Sequence, residues 1–134
     1  MKRDMDYVRE LLLKIEAADE PIEGSESMVA ADASENDRRK LGYHLEMLID
    51  QAGLVTGNEG HYIVGASEGD GLCWHDVKLT WQGHEFLETV RDPEVWSRTK
   101  AGATKAGNFA IGFMVDLAKA YAKHVAKERL GLDL

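Results

Sequence analysis

The spacing of apolar residues in the first half of the chain predicts two amphipathic helices joined by a loop. After Asp4, a good N-cap, apolar residues recur every three or four positions to about Ala18. Ser34 or Asp32 can cap a second helix whose apolar stripe ends at Gly53, a residue suited to the left-handed position that closes a helix. Residues 19–33, which include a proline and a glycine, predict a loop with a short edge strand at 28–29.

The second half of the pattern predicts a β-hairpin followed by helices. Two β-prone runs, 62–64 and 72–79, flank the glycine-rich stretch 65–71. Thr80 is a predicted N-cap, and the side chains predicted to pack back on the first two helices are Trp81, Phe86, Leu87 and Val90. Trp81 and Trp96 are predicted to be anchors of the core or of an interface. Pro93 opens a short fourth helix, and the glycines at 102 and 107 mark a break before the last one. We therefore predict an α+β fold, with a winged-helix-like domain at 1–92 and a C-terminal helical extension at 93–134.

The last helix, predicted at about 108–129, has a broad apolar face. Such a face packs either on its own domain or on a partner. The residues predicted to form an interface with a protein partner or a second copy are Met114, Val115, Ala118, Tyr121 and Val125.

Four segments together resemble a known family. They are MKRDMD at 1–6, GYHL through AGL at 42–54, LTWQGHEFL at 79–87, and RD with VW at 91–96. In this order they resemble the bacterial and phage family called domain of unknown function 2513. The resemblance implies a small cytosolic protein with winged-helix character, often of phage or prophage origin. It supplies no activity and no catalytic residues.

Charge separates two hypotheses about function. The chain has a net charge of −8, with 9 basic and 21 acidic residues in 1–97 but 7 basic and 3 acidic in 98–134. Because nucleic-acid affinity depends on neutralising phosphates, this balance disfavours DNA binding. Our leading hypothesis is an accessory or regulatory protein that acts by protein interaction or self-association. The alternative is a transcriptional regulator that binds duplex DNA, with contacts from Arg38, Arg39, Lys40, Lys119, Lys123 and Lys127.

Catalytic and metal-binding chemistry have weak candidates. If Val64 paired with Leu72, His61 would lie opposite His75 on the face that also carries Cys73. A zinc site would still need a fourth ligand and tighter spacing, so we expect no metal and no cofactor. Residues 65–71 lack the Lys-Ser/Thr ending of a phosphate loop, and we expect no enzyme activity.

Two histidines in the family-like segments, His44 and His84, are predicted to bond nearby carbonyl or carboxylate groups and to hold the second helix against the third. No apolar run reaches the roughly 18 residues that a membrane span requires, and the charged N-terminus has no apolar signal segment behind it. A single cysteine agrees with a reducing compartment. We expect a cytoplasmic protein without membrane contact.

Overall fold

The protein is described by a computed structural model for residues 1–62 and 71–133, with side chains described for 1–59 and 73–133. The chain forms two compact units, Met1–His84 and Glu85–Leu134. The boundary between them falls inside one helix, α3, which spans Trp81–Val90. No helix of the described residues is long and apolar enough to cross a membrane.

The first unit has the element order of a winged-helix-like fold. Helix α1 (Met5–Ala17) leads to strand β1 (Ile22–Gly24), a short 3-10 helix (Ser25–Met28) and helix α2 (Glu35–Glu46), which continues as a π-helical segment, Met47–Gln51. Strands β2 (Val55–Tyr62) and β3 (Gly71–Leu79) form the hairpin. The sheet is antiparallel with the order β1-β3-β2. The predicted α+β class and winged-helix-like arrangement agree with this architecture.

Local capping explains where these helices begin and end. The Asp4 carboxylate accepts the backbone N–H of Tyr7 at 3.1 Å, and the Ser34 hydroxyl accepts that of Asp37 at 3.1 Å. Gly53 has φ +66°, the left-handed conformation that glycine adopts without steric penalty. The capping residues predicted from the sequence are therefore confirmed.

The segment between α1 and α2 differs from its prediction. An edge strand is present, but it lies at Ile22–Gly24, where Ile22 pairs with Val77. The predicted strand at 28–29 is wrong, because Met28 ends the 3-10 helix instead. That helix is fixed by the buried Ser25, whose hydroxyl accepts the N–H of Trp74 at 3.0 Å. It occupies the place in the chain where a helix-turn-helix protein has its positioning helix.

The core of the first unit combines the apolar faces of α1 and α2 with the inner face of the sheet. Its most deeply buried side chains, each less than 3% exposed, are Val8, Leu11, Leu12, Leu45, Val55, Trp74 and Val77. Burying side chains of this size contributes on the order of 2 kcal/mol each, which makes the packed faces the main source of this unit's stability.

The observed register of the hairpin differs from the one on which the metal-site hypothesis was based. His61 pairs with Leu72, and His75 pairs with Asn58. The pairing is set from the base, where Val55 lies opposite Leu79, and a bulge at Asp76, with φ +54°, adds a residue to β3. The assumed pairing of His61 with His75 is therefore wrong. Residues 63–70, which include most of the predicted loop, and the His61 side chain lie outside the described residues.

The second unit contains a helical hairpin. Helix α4 spans Pro93–Ala106, with Pro93 in the first turn, and α5 spans Ile111–Leu130. The predicted break lies at Gly107, which ends α4 in a left-handed conformation, but Gly102 does not break the helix. A Cβ on Gly102 would lie 2.9 Å from the Tyr121 hydroxyl, so this glycine lets α5 approach α4 closely. The fourth helix is consequently longer than the short helix predicted.

Candidate functional site

A buried histidine joins two of the four family-like segments. The backbone N–H of Asp4 donates to Nε2 of His44 at 2.9 Å. Nδ1 of the same ring lies 2.7 Å from the Lys40 carbonyl oxygen, which can only accept. The ring is therefore the neutral tautomer with its proton on Nδ1. The predicted bond to a carbonyl is present, but His44 holds α2 against the start of α1, not against α3 as predicted.

Lys40 is part of the same junction. Its ammonium nitrogen lies 3.1 Å from Oδ2 of Asp4 and 4.5 Å from the centre of the Tyr7 ring. The hydrogen bond from Tyr7 and the ion pair with Lys40 lower the pKa of Asp4, while burial raises the pKa of the Tyr7 hydroxyl. The rings of Tyr7 and His44 meet edge to face at 4.9 Å. These contacts make the cluster a structural connection between α1 and α2.

The two arginines that precede Lys40, which are also predicted to contact DNA, have partners within the chain. A guanidinium nitrogen of Arg38 donates to the Ala31 carbonyl at 2.9 Å. Arg39 forms an ion pair of 2.7 Å with Glu35, one turn earlier on α2. The three basic residues at the start of α2 are thus each engaged locally. A DNA complex would have to replace these contacts.

A second junction fixes the start of α3. The Thr80 hydroxyl donates to the Gly53 carbonyl at 2.6 Å and accepts the N–H of Gly83 at 3.0 Å, while the Thr80 N–H donates to Leu54 at 3.1 Å. A Cβ on Gly83 would lie only 1.9 Å from the Leu54 carbonyl oxygen. The predicted cap is confirmed, and Gly83 is required by the close approach of two backbones.

Trp81 is not buried, contrary to the prediction. It is 76% exposed at the first position of α3. Because residues advance 100° per position around a helix, Trp81 lies about 200° from Gly83, which faces the protein. The buried stripe of α3 is Gly83, Phe86, Leu87 and Val90. Trp81 belongs to the opposite, polar stripe, and the helical phase could have revealed this from sequence.

A shallow groove lies within one helical turn of Trp81. It has a volume of about 180 Å³ and is lined by buried apolar residues and by more exposed charged residues of both signs, including Ile15, Val77, Leu79, Asp19, Glu20 and Lys78. His84, which is exposed, lines it from α3. Ligand pockets for small molecules are commonly about 300–1,000 Å³, so this groove is smaller than a typical small-molecule site.

The hairpin places Cys73 and His75 together. Nδ1 of His75 lies 3.2 Å from the Glu23 carbonyl, which leaves Nε2 to face the Cys73 sulfur at 3.7 Å. Burial, with a smaller effect from Glu26, raises the pKa of the Cys73 thiol. A nucleophilic cysteine requires the opposite shift. Within the described part of the chain, no group of three or more metal-ligating side chains occurs.

The predicted interface residues on α5 differ in accessibility. Met114, Ala118 and Val125 are buried within the chain, while Val115 and Tyr121 are half-buried. The buried three offer little surface to a partner. Of the predicted basic residues, Lys119 and Lys123 are exposed, and Lys127 lies 3.6 Å from Asp133.

The fourth family-like segment caps α4. The Asp92 carboxylate accepts the N–H groups of Glu94 and Val95 and pairs with Arg129 of α5. Arg129 also contacts Glu94 at 3.1 Å. The Arg129 guanidinium, together with the backbone donors, lowers the pKa of Asp92 to about 2. The sequence predicted that Pro93 opens this helix, but it identified neither Asp92 as the cap nor Arg129, which lies 37 residues away, as its partner.

The capped helices, the β1-β3-β2 sheet and the helical hairpin define an α+β protein with a winged-helix-like first unit. The chain belongs to the family described as Hypothetical protein (DUF2513), whose model matches residues 2–109. A relative from Haemophilus influenzae, described as an uncharacterized protein, is 28% identical over 130 residues, which cover 97% of this chain and 99% of the relative. No solved structure matches the chain. Helix α5 lies beyond the residues that the family model matches.

Proposed function

We propose that this protein is a non-enzymatic accessory or regulatory protein that acts by binding another protein, with Trp81 as the anchor of the contact. The observation that carries the proposal is the 76% exposure of Trp81 on an otherwise polar stripe of α3. Tryptophan is enriched among the residues that dominate binding energy at protein interfaces. The junction of Thr80 and Gly83 with Gly53 and Leu54 fixes the start of α3, and with it the backbone position that carries Trp81.

The charge of the exposed surface supports a protein partner over nucleic acid. Exposed acidic residues on α2 and the π-helical segment after it are Glu35, Asp37, Glu46 and Asp50. Arg39 is already paired with one of them. A duplex approaching α2 would meet repulsion from these carboxylates, whereas a neutral or basic protein surface would not.

Helix α5 supplies a second, smaller surface in this proposal. Among the predicted interface residues, Val115 and Tyr121 are partly accessible. Unlike Tyr121, Val115 takes no part in the contact between α4 and α5 at Gly102. Tyr121 packs at Gly102, so a charged residue there would disturb the helical hairpin itself. A substitution that tests α5 as an interface should therefore be made at Val115.

The state of Cys73 supports a non-enzymatic role. Its sulfur faces His75, but the thiol is buried and its pKa is raised. Such a thiol is largely protonated at neutral pH and is a poor nucleophile. The phage or prophage origin implied by the family resemblance remains a prediction.

The experiment is affinity purification of the tagged protein from its native host, with and without nuclease treatment, comparing wild type with Trp81→Ser and Leu130→Ser. A specific partner should be retained by wild type at high salt and lost in Trp81→Ser. Leu130→Ser is the matched control, because Leu130 is 63% exposed on a different element. Retention of every partner by Trp81→Ser would contradict the proposal. Recovery of duplex DNA that is released by salt would support the regulator hypothesis instead.

A further inference from the structure

The buried ring of His44 makes one bond that depends on its charge. The side chain is fully buried, with 0% exposure. Its Nδ1 lies 2.7 Å from the Lys40 carbonyl, and its Nε2 accepts the backbone N–H of Asp4 at 2.9 Å. Protonation would place a second N–H at Nε2, so two donors would face one another there. The connection from α2 to the start of α1 therefore forms only while the ring is neutral.

The charged and titratable groups around the ring do not replace this bond. Both carboxylate oxygens of Asp4 are engaged, Oδ1 by the Tyr7 N–H at 3.1 Å and Oδ2 by the Lys40 ammonium at 3.1 Å. Lys40 also adds a positive charge, which opposes an imidazolium. The rings of Tyr7 and Tyr43 meet the imidazole edge to face, with ring centres 4.9 Å and 5.6 Å away. An added proton would find no free acceptor among these groups.

The same groups keep their charge over the range in which an imidazole ordinarily gains a proton, about pH 7 to pH 5. The hydrogen bond from Tyr7, and then the contact with Lys40, lower the pKa of Asp4, so its carboxylate stays ionised. Burial raises the pKa of the Tyr7 hydroxyl, which stays neutral. A fall in pH across this range therefore acts on the bond between His44 and Asp4 and leaves the ion pair charged.

Asp4 also fixes the first turn of α1. Its carboxylate caps the helix at Tyr7, and its carbonyl accepts the N–H of Val8 at 3.0 Å. The buried face of α1 begins at Met5, which is 7% exposed. If Asp4 moves away from a protonated ring, the cap loses its position and the apolar start of α1 becomes accessible.

We propose that His44 is a pH-sensitive latch, which when neutral holds Asp4 and the first turn of α1 against α2 and when protonated releases them. The closed state is favoured above about pH 7 and is lost as the pH falls toward about 5, because an opened chain takes up a proton that the closed junction excludes. The latch does not involve Trp81. It adds to the proposed function a control over the exposure of the first turn of α1.

Amide hydrogen exchange of the full chain, followed by NMR at pH 7 and pH 5, tests the latch. After correction for the intrinsic effect of pH on exchange, the amides of Asp4, Tyr7 and Val8 should lose about tenfold in protection at the lower pH. The Trp74 amide, which donates to the Ser25 hydroxyl at 3.0 Å, should keep its protection. Unchanged protection at the three amides, or an equal loss at Trp74, would overturn the proposal.

A variant that cannot titrate separates the latch from a general effect of acid. In His44→Gln the side-chain amide offers one acceptor and one donor, as the neutral ring does, and it gains no proton in this range. The three amides should then be equally protected at pH 7 and pH 5. His84→Gln is the matched control at an exposed position, and it should respond to pH as wild type does. A loss of protection that persists in His44→Gln would refute the role of the ring.

The ring nitrogens of wild type give a measurement that needs no variant. Their ¹⁵N chemical shifts should show the neutral ring with its proton on Nδ1 at pH 7. Protonation of His44 at lower pH should follow the same curve as the loss of protection at the Asp4 amide. A ring that becomes protonated while this amide stays protected would contradict the proposal, whether or not His44→Gln folds.

Discussion

Gly83 shows most clearly how a single residue determines the local fold. Its α-carbon faces the Leu54 carbonyl so closely that an added Cβ would lie 1.9 Å from the oxygen. The obstacle is backbone, which cannot rotate away like a side chain. We expect Gly83→Ala to lower the free energy of unfolding by about 3 kcal/mol, measured by urea denaturation.

A second glycine in the family-like segments provides the control. Gly42 lies in α2, and a Cβ there would meet nothing within 4 Å. Because glycine is a poor helix former, Gly42→Ala should stabilise the protein by up to about 1 kcal/mol. Equal effects of the two substitutions would show that the α3 junction is not sterically closed.

His44 gives a second prediction at the residue scale. His44→Phe keeps a planar ring but removes the acceptor for the Asp4 N–H, a backbone donor at the start of α1. An unsatisfied buried donor costs about 1–3 kcal/mol, and we expect a loss of that size in urea denaturation. His84→Phe, at an exposed position, should change stability by less than about 0.5 kcal/mol. A neutral His44→Phe would contradict the role assigned to this ring.

The roles of His44 and Trp81 were only partly predictable from the sequence. It predicted a carbonyl partner for His44, because a buried imidazole needs one. It did not find Asp4, since that residue lies 40 positions away and the pairing depends on how α1 and α2 pack. The sequence favoured either a core or an interface position for Trp81, and its helical phase relative to Phe86 and Leu87 places it on the polar stripe.

Among the elements, the α4–α5 hairpin has the clearest pH dependence. Arg129 and the helix N-terminus hold the pKa of Asp92 at about 2, below its ordinary value of 3.8. A carboxylate with a lowered pKa in the folded state stabilises the fold above about pH 4, and this contribution is lost as the pH falls toward 2. We expect wild type to lose stability between pH 4 and pH 2 more steeply than Asp92→Asn.

Urea midpoints across this pH range, followed by circular dichroism, measure the difference. Glu88→Gln is the control, because its ion pair with Arg91 lies on the surface and contributes little. It should retain the wild-type pH dependence. If stability fell equally steeply with pH in wild type and in Asp92→Asn, the contact with Arg129 would not stabilise the fold in the way predicted.

Element boundaries were predictable where a local signal exists. Asp4, Ser34, Thr80 and Gly53 mark helix ends through their own backbone or side-chain chemistry, and all four were identified. The position of β1 and the register of the hairpin were not, because both depend on pairing with β3 and on the bulge at Asp76. Strand pairing is non-local, so a single sequence constrains it weakly.

At the scale of the whole molecule, the acidic charge predicts weak binding to duplex DNA. Arg38 and Arg39 form hydrogen bonds or ion pairs within the chain. Replacing both with alanine should therefore change the weak affinity for duplex DNA very little. Fluorescence anisotropy with a random-sequence duplex should show only weak binding, and this pair of substitutions should change it less than twofold. A tight complex that depends on both arginines would contradict this prediction and favour the regulator hypothesis.

The net charge alone predicts weak DNA binding, but the partner of each cation is visible only in the structure. Arg38 bonds a carbonyl seven residues earlier, and Lys40 reaches Asp4 across the α1–α2 contact. Neither partner follows from charge counts. The groove beside His84 was likewise inaccessible to sequence reasoning, because its walls come from α1, β3 and α3.

Whether Trp81 anchors a protein contact can be tested by photo-crosslinking in the native host, with a photoreactive phenylalanine analogue at position 81. A surface anchored by Trp81 predicts a discrete crosslinked protein, either a partner or a second copy. The analogue at position 32, an exposed site in the same unit, should give no such product. Crosslinks to nucleic acid, or no crosslink specific to position 81, would contradict the account.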